Sequence, residues 1–334
     1  MPIHRHRITS QVLVGNPLGD PVERELYVYV PPGYDETPDE RFPALLALVG
    51  FTGAGSYLFN PDPLGEPLDQ RLDRLIASGA CPPVIVVAPD CFTRVGGSQY
   101  INSLGTGRYQ DYLVDEIVPF VDSHYGTLGR GRWGAFGKSS GGFGALLLGM
   151  HHPDRFGAVA DHSGDAGFEL TYLRDFPAAL DAYRAAGGPA AWLAQFWRDP
   201  NRHRTTHAMP LEILGLAACY SPNPAAPAAD AHIDWPFELA TGAFVPAVWE
   251  RWRAWDPVNL VPRYADALRR LKAVYVDAGT ADEYALHWGA RSLVHQLRAH
   301  GVTVRHDEFD DGHFNIGYRA EVSVPFLARA LLAA

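Results

Sequence analysis

Gly137, Lys138, Ser139, Ser140 and Gly141 form a Gly-x-Ser-x-Gly pentapeptide, a pattern that holds a serine on a sharp turn with its hydroxyl exposed. It follows a short apolar run, Trp133 to Phe136, and precedes an apolar, small-residue stretch, Gly142 to Met150, that reads as a helix. Strand, turn and helix are the context such a turn requires, so Ser139 is the candidate nucleophile. Ser140 has Lys138 and Gly142 at the same offsets and fits less well. A serine hydroxyl attacks a carbonyl only with a base in reach and a third group orienting that base.

Candidates for both partners follow in the chain. After the strand-like AVYVD, the segment AGTADEY puts Asp282 in a turn beyond the strand end, with Asp277 at the strand terminus and Glu283 at the start of the next helix as rivals. A carboxylate at that helix start is favoured by the helix dipole, which gives Glu283 a structural explanation. After the strand ending at Phe309, DDGHF places His313 in the adjacent loop, where Asp310 and Asp311 read as turn residues. Of the 14 histidines, His306 lies within a strand, His151 and His152 close a helix, and His162, past another strand end, is the main rival.

The oxyanion of a tetrahedral intermediate needs preorganised donors. The Ser140 amide, at a helix N-terminus, is one; the loop GFTGAG, Gly50 to Gly55, offers Phe51 first and Thr52 second. Tyr100, Asn102, Tyr109 and Asp111, past the strand ending near Asp90, either reach the site or build a surface loop. Lys138 is expected to point away into the fold. HRHR at residues 4 to 7 reads as a solvated terminus, having no carboxylate or cysteine nearby to complete a metal site.

The elements that must position these groups alternate. Strand-like runs at Glu25 to Val30, Ala44 to Gly50, Pro83 to Pro89, Trp133 to Phe136, Gly157 to Asp161, Ala273 to Asp277 and Val302 to Phe309 are separated by predicted helices. Those helices are Leu64 to Ser78, Tyr109 to His124, Ser140 to His151, Arg263 to Leu271, Tyr284 to His300 and Glu321 to Leu332. Continuously apolar strands such as VIVVAP belong to a mostly parallel sheet covered on both faces, with sites at the strands' carboxyl ends. One segment of about 100 residues, from near Ser163 to near Arg263, breaks the alternation and holds six of the eight tryptophans, with a proline-rich stretch from Ser221 to Asp230. Its aromatics either form a hydrophobic cluster that stabilises the insertion or line an acyl or aryl pocket over the strand ends; the two are compatible.

Composition narrows the function class. A formal charge of −10 argues against a nucleic-acid partner. Cys81, Cys91 and Cys219 are too few and scattered for a disulfide framework or zinc site and read as free thiols in a reducing, cytoplasmic setting. No apolar run approaches the length of a membrane span, and the start MPIHRHRITS lacks a signal-peptide core.

The stretches GKSSGGFGALLLG, HPDRFGAVADHSG, YINSLGTGRYQDYLVDEIVPFVDSHYGT, DAGTADEY and DDGHF resemble the putative esterase branch of the α/β-hydrolases, which includes S-formylglutathione hydrolases, feruloyl and other carbohydrate esterases, enterochelin esterases and mycolyltransferases. The resemblance covers most of the chain outside the insertion. It implies an α/β-hydrolase fold with a core over 1–163 and 258–334, a cap over 164–257, and a triad of Ser139, Asp282 and His313. The expected activity is cofactor-independent and metal-independent cleavage of a small-molecule carboxylic ester with a hydrophobic acyl or aryl group. An acyltransferase with the same triad and a non-catalytic binding protein are the alternatives.

Overall fold

The computed structural model describes residues 3–333. Eight strands form the central sheet: β1 (His4–Thr9), β2 (Glu23–Tyr29), β3 (Ala44–Leu48), β4 (Ile85–Pro89), β5 (Trp133–Lys138), β6 (Phe156–His162), β7 (Ala273–Gly279) and β8 (Arg305–Phe309). Their spatial order is β1-β2-β4-β3-β5-β6-β7-β8. β1 pairs antiparallel with β2, β2 antiparallel with β4, and every later pair is parallel. This is the α/β-hydrolase fold. The central strands β3, β4 and β6 are buried along their whole length, which explains their unbroken apolar runs.

β1 was not expected. The HRHR run is an edge strand, and its inward histidines are anchored by one tyrosine: His4 Nδ1 lies 3.0 Å and His6 Nε2 2.6 Å from the Tyr125 hydroxyl. The run is therefore structural rather than a solvated terminus.

Two helices, α1 (Leu68–Ala77) and a C-terminal one (Ala320–Leu332), pack on one face of the sheet through Leu72, Leu75, Val324 and Leu327. The other face carries the helical stretch Tyr109 to His124, with a π-helical turn over Tyr112–Ile117, and α2 (Ser140–His151). The insertion is helical: α3 (Phe176–Ala186), α4 (Pro189–Arg198), α5 (Thr205–Tyr220) and α6 (Pro246–Arg253). The next helix, α7 (Pro257–Arg269), begins six residues before the predicted Arg263, with Pro257 in its first turn and the Asp256 carboxylate accepting from the Val258 amide at 2.9 Å. Trp192, Trp235, Trp249 and Trp252 share one buried cluster with Phe143 and Leu146 of α2 and Val159 of β6. Most of the insertion's aromatics therefore serve packing.

Candidate active site

β5 ends at Lys138, and Ser139 stands between it and α2 with φ 58° and ψ −128°, a conformation that an L-residue adopts only under constraint. Its amide donates to the His162 carbonyl at 2.9 Å, so the turn is held by the neighbouring strand. The flanking glycines are steric necessities: a Cβ at Gly137 would meet Gly141 and the Leu48 carbonyl, and one at Gly141 would sit on that same carbonyl. The serine hydroxyl is pushed forward because the backbone beside it comes this close to β3.

Past the end of β7, Asp282 is buried and accepts at both oxygens. Oδ1 takes the amides of Tyr284 (2.9 Å) and Leu286 (3.3 Å), and Oδ2 lies 2.8 Å from His313 Nδ1. Burial opposes ionisation, yet the His313 bond and the two amides outweigh it and hold the carboxyl below its ordinary range. Tyr284 packs edge-on against the His313 ring at 4.8 Å, and Phe314 meets it at 5.4 Å. The imidazole is thus fixed on three sides, with Nε2 left for chemistry.

The rivals are used elsewhere. Glu283 does not begin the helix, which starts at Leu286 after left-handed Ala285; its carboxylate accepts from the His313 amide at 2.6 Å and so holds the histidine's loop. Asp277 and His162 bond to each other at 2.6 Å within a buried network, where His162 Nε2 reaches Ser323 Oγ at 2.8 Å. Asp277 also accepts from Arg319 and Tyr275, each at 2.8 Å.

Ser139 and His313 line one cavity of about 500 Å³, inside the usual range for small-molecule sites, roughly 300–1,000 Å³. The Ser139 hydroxyl is turned toward Asp165 Oδ1, 3.4 Å away, rather than toward His313. Such bonds commonly form only once substrate is bound. On the opposite wall the Thr52 amide is already committed to the Gly96 carbonyl at 2.9 Å, whereas the Phe51 amide has no acceptor among the described residues. The Phe51 ring packs over Gly96, Gly97 and Gly215. The amide of Ser140 opens α2 and has no intrahelical partner.

Lys138 departs from expectation. It lines the cavity, and its ammonium lies 5.1 Å from the Phe314 ring with no ion pair among the described residues. Burial lowers its pKa to about 8, against the pull of Asp282, Asp165 and Glu283. Of the loop residues named from sequence, none lines the cavity. Tyr100 donates to the Val49 carbonyl at 2.6 Å, Asn102 binds Asp111 at 2.7 Å, and the Tyr109 hydroxyl accepts from Arg24 at 2.6 Å. The member of that loop that matters is Gln99, whose amide donates to Asp165 Oδ2 at 2.8 Å. Asp165, three residues past the end of β6, and Glu212 in α5 both line the cavity and escaped the sequence reading. Their signals were a carboxylate at the elbow's edge of the sheet and the one acidic residue in a helix that is apolar from Ala208 onward but for it.

The insertion gives the cavity only Phe196 and Trp197 among its large aromatics, while Phe51, Tyr57, Phe92, Tyr284 and Phe314 come from core loops.

A family model described as "Putative esterase" matches residues 21–323. A ferulic acid esterase superposes over 98% of this chain and 98% of its own, with a TM-score of 0.65 and 18% identity. An S-formylglutathione hydrolase from Agrobacterium tumefaciens superposes over 98% and 94%, with a TM-score of 0.57 and 16% identity. At these identities the likeness is one of fold. A curated but uncharacterized protein of Corynebacterium glutamicum is 25% identical over 142 residues, 42% of this chain, and the match spans about a third (32%) of that protein's length.

Proposed function

We propose that this chain, which belongs to the putative esterase family, is an esterase that cleaves carboxylic esters through an acyl-enzyme on Ser139. The observation that carries the reading is the 2.8 Å bond between His313 Nδ1 and Asp282 Oδ2 beside a strained serine opening on the same cavity. With Nδ1–H donated to Asp282, Nε2 is the basic nitrogen. Rotation of the Ser139 hydroxyl from Asp165 toward His313 lets Nε2 take its proton as Oγ bonds to the ester carbonyl carbon.

The amides of Phe51 and Ser140 hold the oxyanion, each donor contributing roughly 2.7–4 kcal/mol. As the intermediate collapses, the ester C–O bond breaks and the alcohol leaves with the proton from His313. Water, deprotonated by His313, then attacks the acyl carbon, and Ser139 is regenerated as the acid departs. No cofactor or metal has a part in these steps. A cavity of about 500 Å³ with Phe196, Trp197 and Phe314 in its wall supports a small-molecule ester with a hydrophobic acyl or aryl group. The three free, buried thiols support a reducing, cytoplasmic location.

A fluorophosphonate probe tests the reading. Covalent labelling of the wild type that is lost in Ser139→Ala is expected; labelling that persists in the variant overturns the assignment of the nucleophile.

A further inference from the structure

Two carboxyl groups in the cavity have no place in the mechanism above. Asp165 is 4% exposed, with Oδ1 3.4 Å from the nucleophilic oxygen and Oδ2 accepting from Gln99 at 2.8 Å and Ser140 at 3.3 Å. Glu212 reaches the same cavity from α5, on the helix face it shares with Thr205, Ala208 and Leu211. It has no hydrogen-bond partner among the described residues, and it lies close enough to Asp165 for their charges to repel. Burial raises both above the ordinary carboxylate range, Glu212 to about 8.

Neither carboxyl makes an ion pair among the described residues, although Lys138, His313 and Arg174 are near enough for their charges to be felt. Lys138 is turned to the Phe314 ring, His313 is taken by Asp282, Arg204 by Asp199 at 2.9 Å, and Arg202 lies over Trp197. Arg174 binds the Glu283 carbonyl. Two acidic groups that face one cavity and make no ion pair within it leave a cation's place to the ligand, since a hydrogen-bonded ion pair in a low-dielectric site is strong.

We infer that the site takes acyl groups bearing an ammonium on the carbon next to the carbonyl, that is, esters of α-amino acids, with Asp165 and Glu212 as the residues that recognise the charge. The position follows from geometry. Once Oγ is bonded to the carbonyl carbon, the acyl atoms within hydrogen-bond reach of an oxygen 3.4 Å from Oγ are those one or two bonds from that carbon. Hydrolysis then yields the free amino acid and the alcohol, with water supplying the hydroxyl and proton. The inference rests on the esterase reading.

The test compares three methyl esters with the same benzyl group, those of phenylalanine, 3-phenyllactic acid and 3-phenylpropionic acid, at about pH 6.5, where the amine is protonated and the bound ammonium favours the ionised form of both carboxyls. The wild type is expected to favour the amino ester over the propionate by about tenfold or more in kcat/KM. Asp165→Asn and Glu212→Gln are expected to reduce that ratio several-fold; as a ratio it is insensitive to a general loss of activity. A wild-type ratio near one, a ratio unchanged in both variants, or a phenyllactate ester as good as the amino ester each overturns the inference.

Recognition is also read without turnover. Phenylalaninamide should bind Ser139→Ala more tightly than 3-phenylpropionamide by calorimetry, and equal affinities overturn the inference. If no ester is turned over and no fluorophosphonate label forms while phenylalaninamide still binds preferentially, it is the esterase reading that has failed.

Discussion

His162 Nδ1 lies 2.6 Å from Asp277 Oδ1, and the same imidazole reaches Ser323 Oγ at 2.8 Å, so the molecule contains a second serine, histidine and aspartate in hydrogen-bonded sequence. All three are buried, with Ser323 and Asp277 at 0% exposure, and Arg319 and Tyr275 complete the carboxylate's shell. No ester can reach that serine. What the network holds is backbone: the His162 carbonyl accepts the Ser139 amide at 2.9 Å, and the Asp277 carbonyl accepts the Ser163 amide at 2.7 Å.

The two constellations should separate on substitution. Asp277→Ala, which leaves His162 and Arg319 without their shared carboxylate, is expected to cost about 3–5 kcal/mol in denaturant unfolding. Ser323→Ala should cost about 1 kcal/mol and leave fluorophosphonate labelling on Ser139, as peptide mapping of the labelled protein will read.

At the Asp282–His313 pair, which meets the cavity, the cost falls on turnover. Asp282→Asn keeps the shape of the side chain but presents an amide to Nδ1 and favours the wrong tautomer; kcat is expected to fall by roughly 10⁴. His313→Ala should lose at least as much, with KM changed far less, in steady-state assays on a p-nitrophenyl ester.

Glu212 makes stability depend on pH in a defined direction. Its carboxyl stays neutral in the folded, ligand-free chain up to about pH 8, whereas in the unfolded chain it ionises from near its ordinary value of 4.5. Between these limits the folded state binds the extra proton, so stability declines as pH rises. Glu212→Gln should flatten that decline by on the order of 1–3 kcal/mol, measured by chemical denaturation at intervals from about pH 5 to pH 8.

Gly141→Ala tests the elbow itself. The added methyl would land on the Leu48 carbonyl oxygen, backbone that cannot turn aside. A loss of about 3 kcal/mol or more is expected, seen as a lowered melting temperature or a failure to accumulate folded protein.

The meeting of Ser139, Asp282 and His313 was legible because Ser139 and Asp282 each follow a strand with an apolar run, His313 follows the next strand in the turn sequence DDGHF, and parallel strands deliver their following loops to one edge. Asp165 and Gln99 were not, since their meeting joins positions 66 residues apart through a side-chain contact that leaves no periodic trace. Glu212 lay in an insertion without strands to frame it. β1 was hidden for another reason: it is an edge strand with no fully buried residue, and its inward histidines are satisfied by Tyr125, more than 100 residues away. The offset in the helix after Asp282 traces to Ala285, whose φ of 61° keeps the chain in a turn until Leu286. The tryptophans were visible as a group, but which faced the cavity depended on how four of them meet α2 and β6.

That shared cluster governs how the protein comes apart. Trp252 is fully enclosed and donates to Ser221 at 2.8 Å, and the Asp256 carboxylate ties Gly167 and Phe168, at the start of the insertion, to its end. With no seam between insertion and sheet, heat or denaturant should melt both in one cooperative step. Limited proteolysis should then find no stable fragment lacking residues 164–257. Changes of preference would accordingly arise by exchanging side chains along one fixed helix face, at Thr205, Ala208, Leu211 and Glu212, rather than by altering a moving flap.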